Sequence, residues 1–156
     1  MNYKVLILIA GILLVLASSG CTTNNTTNSS NTSSNGTFEN EWVKFSYPPG
    51  MTVADGSLNQ DLLVQIYKNG TNSSMITTIN FASNNRKDLL DRFPNATNIT
   101  VAGKEALTAN DELGRYVYVY LGQGDQTLVL YFDPNSGDVF QQVTKTLVIK
   151  KIPTSS

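Results

Sequence analysis

Asp133, Asn135 and Asp138, within the stretch DPNSGD, place three hard oxygen donors close together, the donor type that calcium takes. The spacing is not that of a helix-loop-helix calcium site, which needs Gly at about its sixth position and Glu at about its twelfth. Counted from Asp133, the glycine falls one place early and Thr144 stands where the glutamate belongs. Pro134 and Gly137 suit a plain turn, so no metal site is assigned. Catalytic constellations are equally scarce. The chain contains no histidine, which removes the usual general base near neutral pH, the Ser-His-Asp and Cys-His nucleophiles and zinc sites built from His and Cys. Its 12 Asp and Glu residues leave paired carboxylates conceivable, but none has a recognisable context, and Asp111-Glu112 before Gly114 reads as a solvated turn. No glycine-rich phosphate loop is present. The expectation is a protein that is not an enzyme and carries no cofactor.

The single cysteine, Cys21, raises a different chemistry. It follows an apolar run at 5–17, preceded by Lys4, and the small residues Ser18, Ser19 and Gly20. The run has the length of a secretory signal, whereas a spanning helix needs about 20 apolar residues. Gly20-Cys21 fits a lipobox, in which the leader is cut ahead of a cysteine whose sulfur carries a lipid; Ser18 stands where such a box normally has an aliphatic residue. A lone thiol closes no intramolecular disulfide. Residues 1–20 are read as a signal peptide, with an uncleaved signal anchor as the alternative. Residues 21–37 are read as lipidated Cys21 followed by a disordered tether. One acyl chain holds a protein only weakly, so stable retention calls for a two-chain anchor. The predicted location is extracytoplasmic, on the outer face of the cell membrane.

From 22 to 37 the chain is Thr, Asn, Ser and one Gly, a composition that cannot offset the entropy of ordering. A flexible spacer of this length spans about 20–24 Å. The chain's net charge of −1 becomes −2 once Lys4 leaves with the leader. Without a basic block it has no electrostatic footprint for nucleic acid or for anionic headgroups, so the membrane partnership rests on the lipid anchor. Asn-X-Ser/Thr triplets, acceptors for N-glycosylation, occur at Asn24, Asn25, Asn28, Asn31 and Asn35 in the tether, where composition nearly forces them. Four more, at Asn69, Asn72, Asn95 and Asn98, fall in loops beside predicted elements; their use depends on whether the host glycosylates its envelope proteins.

Residues 38–152 form one domain of ordinary size. WVKFSY alternates and predicts a strand that PPG at 48–50 ends. LLVQIYK (62–68) and SMITTINFA (74–82) predict a second and third strand joined by a loop. At 84–93 the period changes: Leu89, Leu90 and Phe93 share a helical face, Asn84 or Asn85 can cap, and Pro94 stops the helix. Residues 97–110 read as strand, Gly-containing bend and strand. GRYVYVYLGQGDQTLVLYF is the clearest hairpin, followed by a short helix through Val139, Phe140, Val143 and Leu147 and a closing strand at LVIKK.

With the hairpin tip at 122–125, Tyr116 faces Tyr131 and Tyr118 faces Val129. One face then carries Tyr116, Tyr118, Tyr120 and Tyr131; the other carries Val117, Val119, Leu121, Leu128, Leu130 and Phe132. Two helices can cover the aliphatic face. If a helix also covers the tyrosines they are amphipathic core. If the face is partly open, it is a stack of rigid rings with outward hydroxyls, suited to protein partners or sugars.

The opening WVKFSYPPGMTV, the mid-chain VAGKEA and the closing VFQQVTKTLVIK together resemble the PsbP/Mog1-type domain, across almost the whole folded part. With its leader and Asn/Thr/Ser tether the chain is also similar to PsbP-related lipoproteins of methanogenic archaea. Several antiparallel strands with one helix after the third and another near the C-terminus give an α+β sandwich, and the resemblance implies the same fold, an antiparallel sheet with helices packed on its faces in an α-β-α sandwich. It further implies a non-catalytic extrinsic subunit that binds another envelope component. The alternative from the residues is a surface protein that binds a glycan or small molecule through its tyrosine-rich face.

Overall fold

The computed structural model describes residues 34–59, 61–69 and 74–154. Ten strands and two helices follow in the order β1 (Gly36–Glu39), β2 (Val43–Tyr47), β3 (Met51–Asp55), β4 (Leu63–Lys68), β5 (Ser74–Ser83), α1 (Arg86–Arg92), β6 (Thr97–Val101), β7 (Lys104–Asn110), β8 (Arg115–Tyr120), β9 (Gln126–Phe132), α2 (Asp138–Thr146) and β10 (Val148–Ile149). Seven strands form one sheet in the order β3-β4-β5-β9-β8-β7-β6, and three form a second in the order β1-β2-β10. Every pairing is antiparallel.

This is a β-rich fold and corrects the expected α+β sandwich: 51% of the described residues are strand and 14% helix. Two strands were missing from the sequence reading. Met51–Asp55 alternates Met51 and Val53 inward with Thr52 and Ala54 outward, and Gly50 at φ 77° turns the chain directly into it. Gly36–Glu39 begins inside the stretch expected to be tether. Gly36 and Thr37 have no apolar side chain to announce a strand, yet they pair with Tyr47 and Ser46, because backbone hydrogen bonding is indifferent to composition.

The second departure concerns what covers the large sheet. Its aliphatic face, from here the inner face, buries Val64, Ile66, Ile79, Val117, Val119, Leu128, Leu130 and Phe132. The expected two helices do not cover it. The three-stranded sheet and α2 do, contributing Trp42, Val43, Phe45, Val139, Val143 and Leu147 to the same core. Trp42 meets Phe81 edge-on at 5.5 Å between centroids, and Phe140 meets Phe132 likewise at 5.1 Å. Helix α2 forms because Val139 and Val143 are one turn apart on one face, with Asp138 in its first turn and Lys145 in its last, both favourable to the helix dipole.

The smaller sheet closes through contacts far apart in sequence. The Ser46 amide donates to Thr146 Oγ1 at 2.8 Å, and the Lys150 amide to the Trp42 carbonyl at 2.7 Å. Glu39 accepts from Lys150 and Lys44, each at 2.9 Å, and these two partners hold its carboxyl down at about 2. All three side chains are well exposed, so the cluster fixes register more than it stabilises.

Gly114, in the turn between β7 and β8, is buried, and a Cβ there would collide with the Phe132 carbonyl oxygen and come within 3.0 Å of the Tyr131 ring. Because the obstacle is backbone, Gly114→Ala is expected to lower unfolding stability by about 1–3 kcal/mol, read from the shift in the urea midpoint; an unchanged midpoint contradicts this packing.

Candidate binding face

Register places the four tyrosines as the hairpin arithmetic requires. Tyr116 pairs with Tyr131, Tyr118 with Val129 and Tyr120 with Thr127, and paired residues share a face. From β7, Leu107 and Ala109 join the same face opposite Tyr118 and Tyr116. Helix α1 lies over this outer face. Its Leu89 and Phe93 form a second, smaller core with Leu107, Ala109 and Tyr118, against which Tyr116, Tyr120 and Val129 also pack. Phe93 is the hub, with ring centroids 5.8 Å from Tyr116 and 6.2 Å from Tyr118.

Several hydrogen bonds hold α1 in place. Asn85 caps it by accepting from the Lys87 amide at 2.8 Å, satisfying one of the orphan donors of the first turn. Asn84 ties the cap to the β8–β9 tip: its amide nitrogen donates to the Asp125 carbonyl and its Nδ2 to Thr127 Oγ1, both at 2.8 Å. At the far end the Phe93 amide donates to the Leu89 carbonyl at 2.8 Å, and Pro94 follows. So short a helix would not persist alone; burial of Leu89 and Phe93, worth about 1.5–3 kcal/mol each, supplies what its length cannot.

The tyrosines are consequently not alike. Tyr118 is 5% exposed, while Tyr116, Tyr120 and Tyr131 are half-buried. Tyr116 and Tyr118 are stacked at 6.1 Å, and Tyr131 tilts against Tyr116 at 5.3 Å. The Tyr131 hydroxyl donates to the Leu113 carbonyl at 2.8 Å, and the Asp111 carboxylate accepts from the Leu113 and Gly114 amides at 2.9 and 3.1 Å. Asp111 and Gly114 thus belong to a well-made turn. In DPNSGD, Asp133 Oδ1 accepts from the Asn135 amide at 2.7 Å, the geometry of a turn leading into α2. Among the described residues no three His, Cys, Asp or Glu converge on one point.

Two clefts flank the β7–β8 turn. One, of about 530 Å³, is lined by Arg92, Phe93, Pro94, Asn95, Ala96, Asn110 and Asp111. The other, of about 280 Å³, lies beside Arg115, Asp133 and Phe140. Neither is lined by Tyr118 or Tyr131, the residues a tyrosine-lined ligand pocket would need. Beyond α1 the outer face continues across β9, β5 and β4 through Val129, Thr78, Asn80, Leu63 and Gln65. Leu63 and Met75 are 37% and 39% exposed there, and Met75 sulfur receives hydrogen bonds from Gln65 and Thr78. The sequence reading missed this half, because its residues alternate with buried ones in β4 and β5 and only register shows that they continue the tyrosine face.

Of the other predicted sites, Asn95 is exposed just ahead of β6, while Asn98, expected in a loop, is instead exposed within β6 at the far edge of the sheet, and Asn69 is exposed with its side chain bonded to Thr52. Cys21 and Asn72, the leader and most of the tether lie outside the described residues.

All four outer-face hydroxyls are held above the usual tyrosine value of 10.0, chiefly by burial, with Asp111 adding to the effect at Tyr116 and Arg92 opposing it at Tyr118. A tyrosine that ionises later in the folded state favours folding fully below pH 10; above it the unfolded chain loses protons first and stability falls. Urea midpoints are therefore expected to drop from about pH 9 to about pH 11, less so in Tyr118→Phe than in the parent; equal drops would show that Tyr118 is not desolvated.

Comparison of the chain with protein-family models, with curated proteins and with solved structures gave no match.

Proposed function

We propose that this protein is a non-catalytic, lipid-anchored domain on the outer face of the cell membrane that binds another protein of the envelope, in the manner of an extrinsic subunit. The observation that supports it most is the division of the outer face. Helix α1 turns Tyr118 and its neighbours into core, which removes the tyrosine trough that small-molecule or glycan binding would use. What stays accessible is a broad, mixed surface on which Leu63 and Met75 are exposed and Tyr131, Thr78 and Asn80 half-buried. Aromatic and methionine side chains set among uncharged polar ones suit a protein partner. The leader, Cys21 and the uncharged tether support the location, and the order of the segments WVKFSYPPGMTV, VAGKEA and VFQQVTKTLVIK supports kinship of role with PsbP-like extrinsic proteins.

Crosslinking in native envelopes, followed by purification and mass spectrometry, tests this reading. The expected result is one stoichiometric membrane protein, recovered with the parent and lost with Leu63→Arg, a substitution at an exposed position that places a charge in the contact. Recovery without any protein partner, or a partner indifferent to Leu63→Arg, overturns it.

A further inference from the structure

Strand β6 ends the seven-stranded sheet and, among the described residues, pairs only with β7, so one side of its backbone offers N–H and C=O groups to any passing strand. Proteins blunt such edges with charges, proline, bulges or a covering element. Thr97-Asn98-Ile99-Thr100-Val101 has no charge and no proline, and its register with β7 runs without a bulge from Thr97 to Val101. Four of its residues are β-branched, the composition that pairs most readily. The edge has none of the usual protections built into its own sequence, yet two acceptor triplets frame it: Asn95-Ala96-Thr97 leads in and Asn98-Ile99-Thr100 lies within it.

We propose that Asn95 and Asn98 are N-glycosylated and that their glycans are the protection of this edge, keeping the domain from pairing sheet to sheet with its own copies on the crowded membrane surface. Both residues are exposed. Asn98 is presented for the reaction: Arg86 donates to its Oδ1 at 2.8 Å, which fixes the amide plane, and Nδ2, the atom that carries a sugar, has no hydrogen-bond partner among the described residues. In the transfer, Nδ2 attacks the anomeric carbon of a lipid-phosphate-linked oligosaccharide. The C–N bond forms as the bond from that carbon to phosphate oxygen breaks; the amide gives up one proton, and the lipid phosphate leaves with the electron pair. Oδ1 keeps its bond to Arg86 throughout, so α1 needs no rearrangement.

The proposal rests on the extracytoplasmic location argued above, and protease shaving of intact cells reads that location separately. Cleavage after Arg92 and Lys104 releases both acceptors on one peptide. In protein purified from its own envelopes, this peptide is expected to carry one or two glycans; finding it unmodified in protein that shaving shows to be exposed overturns the proposal. The full chain with Asn95→Gln and Asn98→Gln, which leaves the tether acceptors intact, is then compared by sedimentation velocity with the glycosylated parent. The expected shift is from monomer to dimers and larger species, reversed when Thr100→Lys is added to place a charge on the edge. A variant that stays monomeric, or association that Thr100→Lys does not reverse, overturns the protective role.

Discussion

The β8–β9 ladder is apolar on both sides, and this constraint organises the rest of the domain. Val117, Val119, Leu128 and Leu130 on one face and Tyr118 with Val129 on the other cannot all be left to water, so the sheet must be covered twice. The inner covering is large, a second sheet with α2 beside it. Among the described residues the outer covering is small, one short helix that seals the region around Tyr118. That inequality makes the two faces unlike: the inner one is buried across its centre, the outer one is interior at β7–β8 and more open from β9 to β4.

The small covering suffices because Asn84, Asn85 and Thr127 lock α1 to the hairpin tip, and Phe93 spans two tyrosines. Arg86 extends the same connection to the sheet edge: it pairs with Glu105, lies over the Tyr120 ring at 5.4 Å and donates to Asn98. Cap, helix and edge strand are therefore one mechanical unit.

Much of the local structure was legible in the sequence. The alternation in 115–132 and the glycine-rich tip fix both the pairing and the division into tyrosine and aliphatic faces, because strand periodicity leaves one register once the turn is placed. The change of period at 84–93, with Asn before and Pro after, marks α1. What could not be read was which face α1 would take, since Leu89 and Phe93 are compatible with either. The three-stranded sheet was hidden for a related reason. Its closure depends on Val148 meeting Lys44, a pairing across most of the domain that no local pattern encodes. With that second sheet unseen, antiparallel strands and two helices read as an α+β sandwich, and the fold class came out wrong. The candidate site was half legible: the tyrosines were found, while their continuation through Leu63, Gln65 and Met75 needed the registers of β4 and β5.

The division of the outer face depends on Tyr118 being interior. Hydroxyl-radical footprinting of the folded full-length protein, with oxidation quantified residue by residue, measures this without depending on ionisation. Tyr118 is expected to be protected while Tyr116, Tyr120 and Tyr131 react to an intermediate extent and exposed Met75 reacts fastest. Reaction at Tyr118 equal to that at the other three would mean that α1 does not close the face, and the tyrosines would again be an open binding surface.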